Sequence, residues 1–174
     1  MKKTIRSLML VLGTAVLFTF CKKEGNSFKN SFTVNGNSYS TNYAINTGYE
    51  NSNGVVTYSD FFISSIDFTS PNFNGRVNGV GLTFDNAEPT PGTYTFKDDS
   101  DPSYNPATNF FDAYALVDVD WQTGGGTEYG NITSGTATVT VSGSRVTINY
   151  DLNFNGTRLT GSYSGAVKMV IEEE

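Results

Sequence analysis

Residues 136–171 keep one side of the chain apolar through two tight turns, and this constrains the fold more than any other feature. Ala137, Val139 and Val141 alternate with Thr136, Thr138 and Thr140, and Ser142-Gly143-Ser144-Arg145 follows as a turn. With Gly143 and Ser144 at the turn centre, Ser142 faces Arg145 and Val141 faces Val146, so the apolar side is preserved. It continues through Val146, Ile148, Tyr150, Leu152 and Phe154 to Asn155-Gly156, a type I′ signature. Pairing Phe154 with Thr157 carries it on through Leu159, Gly161, Tyr163, Gly165, Val167, Met169 and Ile171. The alternation therefore predicts a C-terminal three-strand antiparallel meander. Gly161 and Gly165 give the long last strand a place to bend.

The same rule holds near the other end. Phe32 and Val34 run into Asn35-Gly36, and pairing Val34 with Asn37 places Tyr39, Tyr43 and Ile45 on their side. Between these hairpins, runs rich in Val, Ile, Thr, Tyr and Phe predict strands near 55–68, 76–84, 92–97 and 110–122. In the last of these, Val117, Val119 and Trp121 share one face, and Asp112, Asp118 and Asp120 the other. Phe61-Phe62-Ile63 breaks the alternation, which a bulge or a strand buried on both faces explains. No run of ten or more residues after residue 28 has helical spacing. The expectation over 30–174 is one all-β domain of about nine strands, either a single antiparallel β-sandwich or a partly closed β-barrel.

The first 29 residues are of another kind. Lys2, Lys3 and Arg6 precede an uncharged run from Leu8 to Phe20, the n-region and h-region of a signal peptide. That run is too short for a bilayer, which takes about 20 helical residues. It ends at Cys21, the single cysteine of the chain, so no internal disulfide can form. Phe18-Thr19-Phe20-Cys21 resembles a bacterial lipobox, with Phe18 and Phe20 standing where an aliphatic residue and a small one are usual. The resemblance implies that residues 1–20 are a lipoprotein signal peptide and that the Cys21 thiol takes a diacylglyceryl group. The new N-terminus would then be acylated by a chain of the palmitate class. Lys22-Lys23-Glu24-Gly25-Asn26-Ser27 is similar to the polar tether of Bacteroidota lipoproteins, which makes 21–29 the tether. Taken with "GTYTF" and "LTGSYSG", the chain resembles small β-rich lipoproteins of that phylum whose domains are uncharacterised. The implied location is the outer membrane, held through the Cys21 lipid; two or three acyl chains suffice for stable anchoring.

Composition narrows the function classes. Removing residues 1–20 takes the formal net charge from −6 to −9. Nucleic acid, which is bound through clustered Lys and Arg, is therefore not an expected partner. The chain has no histidine, which rules out triads and metal sites built on imidazole. Among acidic residues, Asp98, Asp99 and Asp101 stand in an oxygen-rich loop of the kind that can hold calcium. They lack both the spacing of a calcium loop and a downstream bidentate Glu, so a solvated loop and no cofactor are expected. Asp112, Asp118 and Asp120, as neighbours on one strand, cannot flank a scissile bond as glycoside hydrolysis requires. The protein is expected not to be an enzyme.

The aromatic residues offer more. Tyr58 and Tyr114 lie in predicted strands, while Tyr49, Tyr104 and Tyr129 fall in predicted loops. With Trp121 these three are the candidate sugar-stacking residues, and the glycine-rich loop around Tyr129 is expected to be flexible enough to close over a ligand. Two functions follow. The first is a non-catalytic binding module for a glycan or other small ligand. The second is a structural or protein-interaction component of the envelope with no small-molecule ligand.

Overall fold

The computed structural model describes residues 30–50, 52–70 and 75–173. The expected signal peptide, Cys21 and the tether lie outside the described residues. The described chain is all-β, with 13 strands in two sheets. In chain order they are β1 (Ser31–Val34), β2 (Asn37–Ser40), β3 (Tyr43–Glu50), β4 (Val56–Ser64), β5 (Arg76–Phe84), β6 (Gly92–Phe96) and β7 (Asn109–Phe110). They continue with β8 (Asp112–Asp120), β9 (Thr127–Tyr129), β10 (Ile132–Ser142), β11 (Arg145–Phe154), β12 (Thr157–Gly165) and β13 (Lys168–Glu173). One sheet has the order β2-β1-β12-β11-β10-β6-β7, and the other β13-β3-β4-β5-β8-β9. They pack face to face as a sandwich, and among the described residues neither sheet closes into a barrel.

The C-terminal meander has the register that the alternation predicts as far as Gly165; Met169 and Ile171, expected on the same apolar side, lie instead in β13 of the other sheet and are 42% and 47% exposed. Val141 pairs with Val146, Ser142 with Arg145 and Phe154 with Thr157. Asn155 and Gly156 have φ of 50° and 93°, the left-handed conformations that a type I′ turn requires, and Asn35 and Gly36 repeat them at 50° and 77°. An added Cβ at Gly156 would meet nothing within 4 Å, so substitution there costs conformation and not space. Gly156→Val is expected to lower stability by about 1–2 kcal/mol, because a β-branched residue resists positive φ. Gly125 has no positive φ, and its Cβ would sit an ordinary 3.7 Å from Thr123 Oγ1. Gly125→Val is therefore expected to stay within about 0.5 kcal/mol of the parent. Urea midpoints check the pair, and equal midpoints would contradict the turn assignment.

The strand count departs from about nine for a specific reason. Three expected strands are each cut in two where the chain passes from one sheet to the other: at Thr41-Asn42, at Phe111 and at Ala166-Val167. Thr127–Tyr129 adds a strand inside the expected glycine-rich loop. The first crossing reverses the phase of β3, so that Ala44 and Asn46 turn inward and Tyr43 is left 43% exposed. At the last crossing Tyr163 donates from its hydroxyl to the Ala166 carbonyl at 2.6 Å, and an added Cβ at Gly165 would lie 2.4 Å from that hydroxyl. β13 then runs parallel to β3, and β7 runs parallel to β6, so both sheets are mixed and not purely antiparallel.

The inter-sheet core explains the sequence of β4. Phe61 and Ile63 face the other sheet, while Phe62, between them, is buried on the outward side. β4 is thus covered on both faces. The core is sealed by aromatic contacts between sheets: Phe84 of β5 meets Tyr94 of β6 edge-on at 5.0 Å and Phe110 of β7 at 6.2 Å.

Candidate functional site: the outward face of the six-stranded sheet

Strand register lays this face out in rows. One row runs Thr47, Asp60, Thr83, Asp112 across β3, β4, β5 and β8. The next runs Ile45, Phe62, Gly81, Tyr114, and the one after it Tyr43, Ser64, Gly79, Leu116, Glu128. On the far side of the polar row, Tyr49 and Tyr58 stack at 4.6 Å. The central strand reads Val77-Asn78-Gly79-Val80-Gly81-Leu82, and the two glycines fall on the outward side. Rings from the neighbouring strands lie over them. An added Cβ would sit 2.3 Å from Tyr114 Cε1 at Gly81 and 2.6 Å from Phe62 Cζ at Gly79. Phe62 stacks on Tyr114 at 5.6 Å, meets Phe68 edge-on at 5.3 Å, and Phe68 meets Trp121 edge-on at 4.9 Å. The result is a continuous aromatic strip beside a row of carboxyl and hydroxyl groups.

A bulge in β8 shapes the strip. Asp118 has φ of 53°, and the pairing with β5 slips between Val77 and Gly79. Val117 therefore packs on the inter-sheet core while Val119 joins the outward cluster with Val77, Phe62 and Leu116. The expectation that Val117, Val119 and Trp121 share a face is corrected by this extra residue. The same bulge separates the aspartates. Asp118 accepts from Arg76 at 2.9 Å on the surface. Asp120 accepts the amides of Gln122 and Thr123 at 3.0 and 3.1 Å, closing the turn that follows. Those amides hold the Asp120 carboxyl below the usual aspartate range.

The polar row is partly desolvated. Burial raises the carboxyls of Asp60 and Asp112, and it raises the Tyr114 phenol as well. Thr83 donates to Asp60 Oδ1 at 2.6 Å, which opposes the rise at Asp60 without cancelling it. Folded Asp60 thus keeps its proton to higher pH than unfolded Asp60, and stability falls as pH rises through that window. Asp60→Asn, which can still accept from Thr83, is expected to melt at a higher temperature than the parent at pH 7. The advantage should vanish near pH 3, where the carboxyl is protonated in both states, an ordinary aspartate having a pKa of about 3.9. Melting curves at the two pH values check this.

The aromatic residues singled out from sequence separate into different settings. Trp121 is 51% exposed at one end of the strip, and Tyr49 belongs to strand β3, not to a loop. Tyr129 is in β9, its ring tilted against Phe154 at 6.3 Å and its hydroxyl accepting from Asn35 at 3.1 Å. Tyr129 and Trp121 both line a cleft of about 440 Å³ with Tyr114, Leu116, Val119 and Glu128. The loop between them is a closed turn: Asp120 donates its amide to Gly125 O at 2.6 Å, and Gly126 has φ of 144° with Val119 Cα 2.5 Å from where a Cβ would stand. Tyr104 does lie among turns, edge-on to Phe111 at 6.4 Å, with its phenol pushed up to about 12 by burial.

Of the calcium candidates, Asp98 accepts from the Ser100 amide at 2.9 Å, and Asp101 from the Ser103 amide at 2.7 Å. Both also accept from the serine hydroxyls, so these carboxylates close local turns. Among the described residues, no three acidic groups converge in a way that could hold a metal, Asp99 included. Asp60, Thr83, Phe62 and Phe68 are not among the candidate site residues that the sequence marks. The readable signals were a lone Asp alternating with Tyr58 and Phe62, and two glycines two apart in an otherwise apolar strand. No family model matches the chain, and neither curated proteins nor solved structures give a match.

Proposed function

We propose that the chain is a lipid-anchored, non-catalytic binding module of the bacterial envelope, and that it holds a glycan on the outward face of the six-stranded sheet. The observation that carries this reading is the set of rings that keep exposed surface, Tyr114, Phe68 and Trp121, packed on buried Phe62 and lying beside the Asp60, Thr83, Asp112 row. Sugar rings offer apolar C–H faces to aromatic rings and hydroxyl edges to carboxyl and hydroxyl acceptors. The net negative charge favours neutral or amine-bearing glycans over sulfated or uronic ones. Asp60 and Asp112 stand on one face with β5 between them, roughly 10 Å apart by strand spacing.

The anchor part of the proposal rests on Cys21 and the residues around it. Cys21→Ala is expected to abolish fatty-acid labelling and move the protein out of the membrane fraction; a variant that still labels and still pellets overturns the anchor. The binding part is tested by a thermal-shift screen of neutral, amine-bearing and acidic oligosaccharides. Stabilisation by a neutral or amine-bearing member is the expected result. A screen in which no glycan shifts the melting temperature overturns the binding reading and leaves an interaction role in the envelope.

A further inference from the structure

At one end of the sandwich the two sheets are not closed against each other. The tip of the β10–β11 hairpin, with the Pro89 segment, stands over β3 and β13 and leaves a cavity of about 250 Å³. Its walls are mainly apolar: Phe61, Val141, Val146, Val167 and Met169. Asn46 lines it too and is only 2% exposed. The Asn46 amide nitrogen donates to the Ala87 carbonyl at 2.9 Å and, more weakly, to Met169 Sδ at 3.6 Å. The Ala87 carbonyl needs a donor, which fixes the amide's orientation, and Asn46 Oδ1 is left buried with no hydrogen-bond partner among the described residues. A buried acceptor without a donor is costly, about 1–3 kcal/mol, and in native proteins such groups call for a partner. Met169 is the movable part of the wall. It is 42% exposed, unbranched, and on an edge strand.

We infer that this inter-sheet cavity is a second binding site, for a small, flat, apolar molecule bearing one hydrogen-bond donor. The donor meets Asn46 Oδ1 when the Met169 side chain swings out and gives up its contact with the Asn46 amide nitrogen, which keeps the Ala87 carbonyl as its acceptor, and the apolar body fills the space among Phe61, Val146 and Val167. Size sets the scale: a dry cavity of about 150 Å³ holds benzene, so about 250 Å³ suits a fused two-ring molecule of roughly ten heavy atoms. Glu88 at the lining adds a carboxylate, which disfavours anionic ligands such as fatty acids. The site is on the opposite side of the six-stranded sheet from the aromatic strip and does not depend on the glycan reading.

Indole and benzofuran separate the two requirements, because they share shape and apolar surface and differ in the single N–H donor. The full chain, labelled with ¹³C at its methionine methyls, is titrated with each. Indole is expected to shift the Met169 methyl signal with about tenfold higher affinity than benzofuran, the worth of one buried hydrogen bond. Asn46→Leu removes the orphan acceptor; it should bind both compounds alike, with the tenfold preference gone. Val146→Phe, which fills the cavity, should bind neither and serves as a second check should Asn46→Leu fail to fold. Equal affinity of the parent for the two compounds, no Met169 shift with either, or an indole preference that survives Asn46→Leu would each overturn the assignment.

Discussion

Phe84→Ala is expected to destabilise the protein by about 3–5 kcal/mol, the range for emptying a packed aromatic site. Phe84 is fully buried at the end of β5 and touches Tyr94 and Phe110, which belong to the other sheet. Its removal therefore loosens the contact between sheets at the point where the chain crosses, at Phe111, from one to the other. Phe68→Ala is the matched comparison, because Phe68 is only partly buried on the outward face. Urea unfolding should rank Phe84→Ala well below Phe68→Ala in midpoint. The reverse ranking would mean that the two sheets are not held through this cluster.

Gly81→Ala is the second large effect, and it links stability to the site. The new methyl would stand 2.3 Å from Tyr114 Cε1, so the ring must leave the face it covers. Overpacking of this kind costs about 1–3 kcal/mol. The displaced ring also disturbs the stack with Phe62 and changes the shape of the cleft lined by Tyr114 and Trp121. If the collision is the cause, the cost should largely disappear in a Tyr114→Ala background, because the methyl then has room. Denaturation of the two single variants and the double variant measures that coupling. Additive costs would show that Gly81 is needed for some reason other than the ring.

What was legible in the sequence was whatever turn chemistry and alternation could specify locally. Asn155-Gly156 and Asn35-Gly36 dictate both conformation and register, and the pairs Phe154–Thr157 and Val34–Asn37 follow from them. Sheet crossings left no such mark. Thr41-Asn42, Phe111 and Ala166-Val167 are single or paired residues inside longer strand-like runs, and only the adjacent Phe110 and Phe111 interrupt the alternation at a crossing, so a local reading joins two strands into one. The Asp118 bulge is equally silent, since one extra residue changes every facing after it and only the pairing with β5 reveals it. For the site, Trp121 and Tyr49 were legible as aromatic residues, whereas their common face was not. It is assembled from β3, β4, β5 and β8, which are far apart in the chain.

Trp121 is the single tryptophan of the chain, and it ends the aromatic strip, so its emission reports on the proposed glycan face without a label. The most direct measurement is a titration of Trp121 fluorescence with the oligosaccharide that most raises the melting temperature, in the parent and in Tyr114→Ala. A saturable change in emission in the parent, lost or weakened at least tenfold in a folded Tyr114→Ala variant, is the predicted result. Emission that stays constant while the ligand still raises the melting temperature, or unchanged affinity in Tyr114→Ala, would place binding elsewhere and contradict the account.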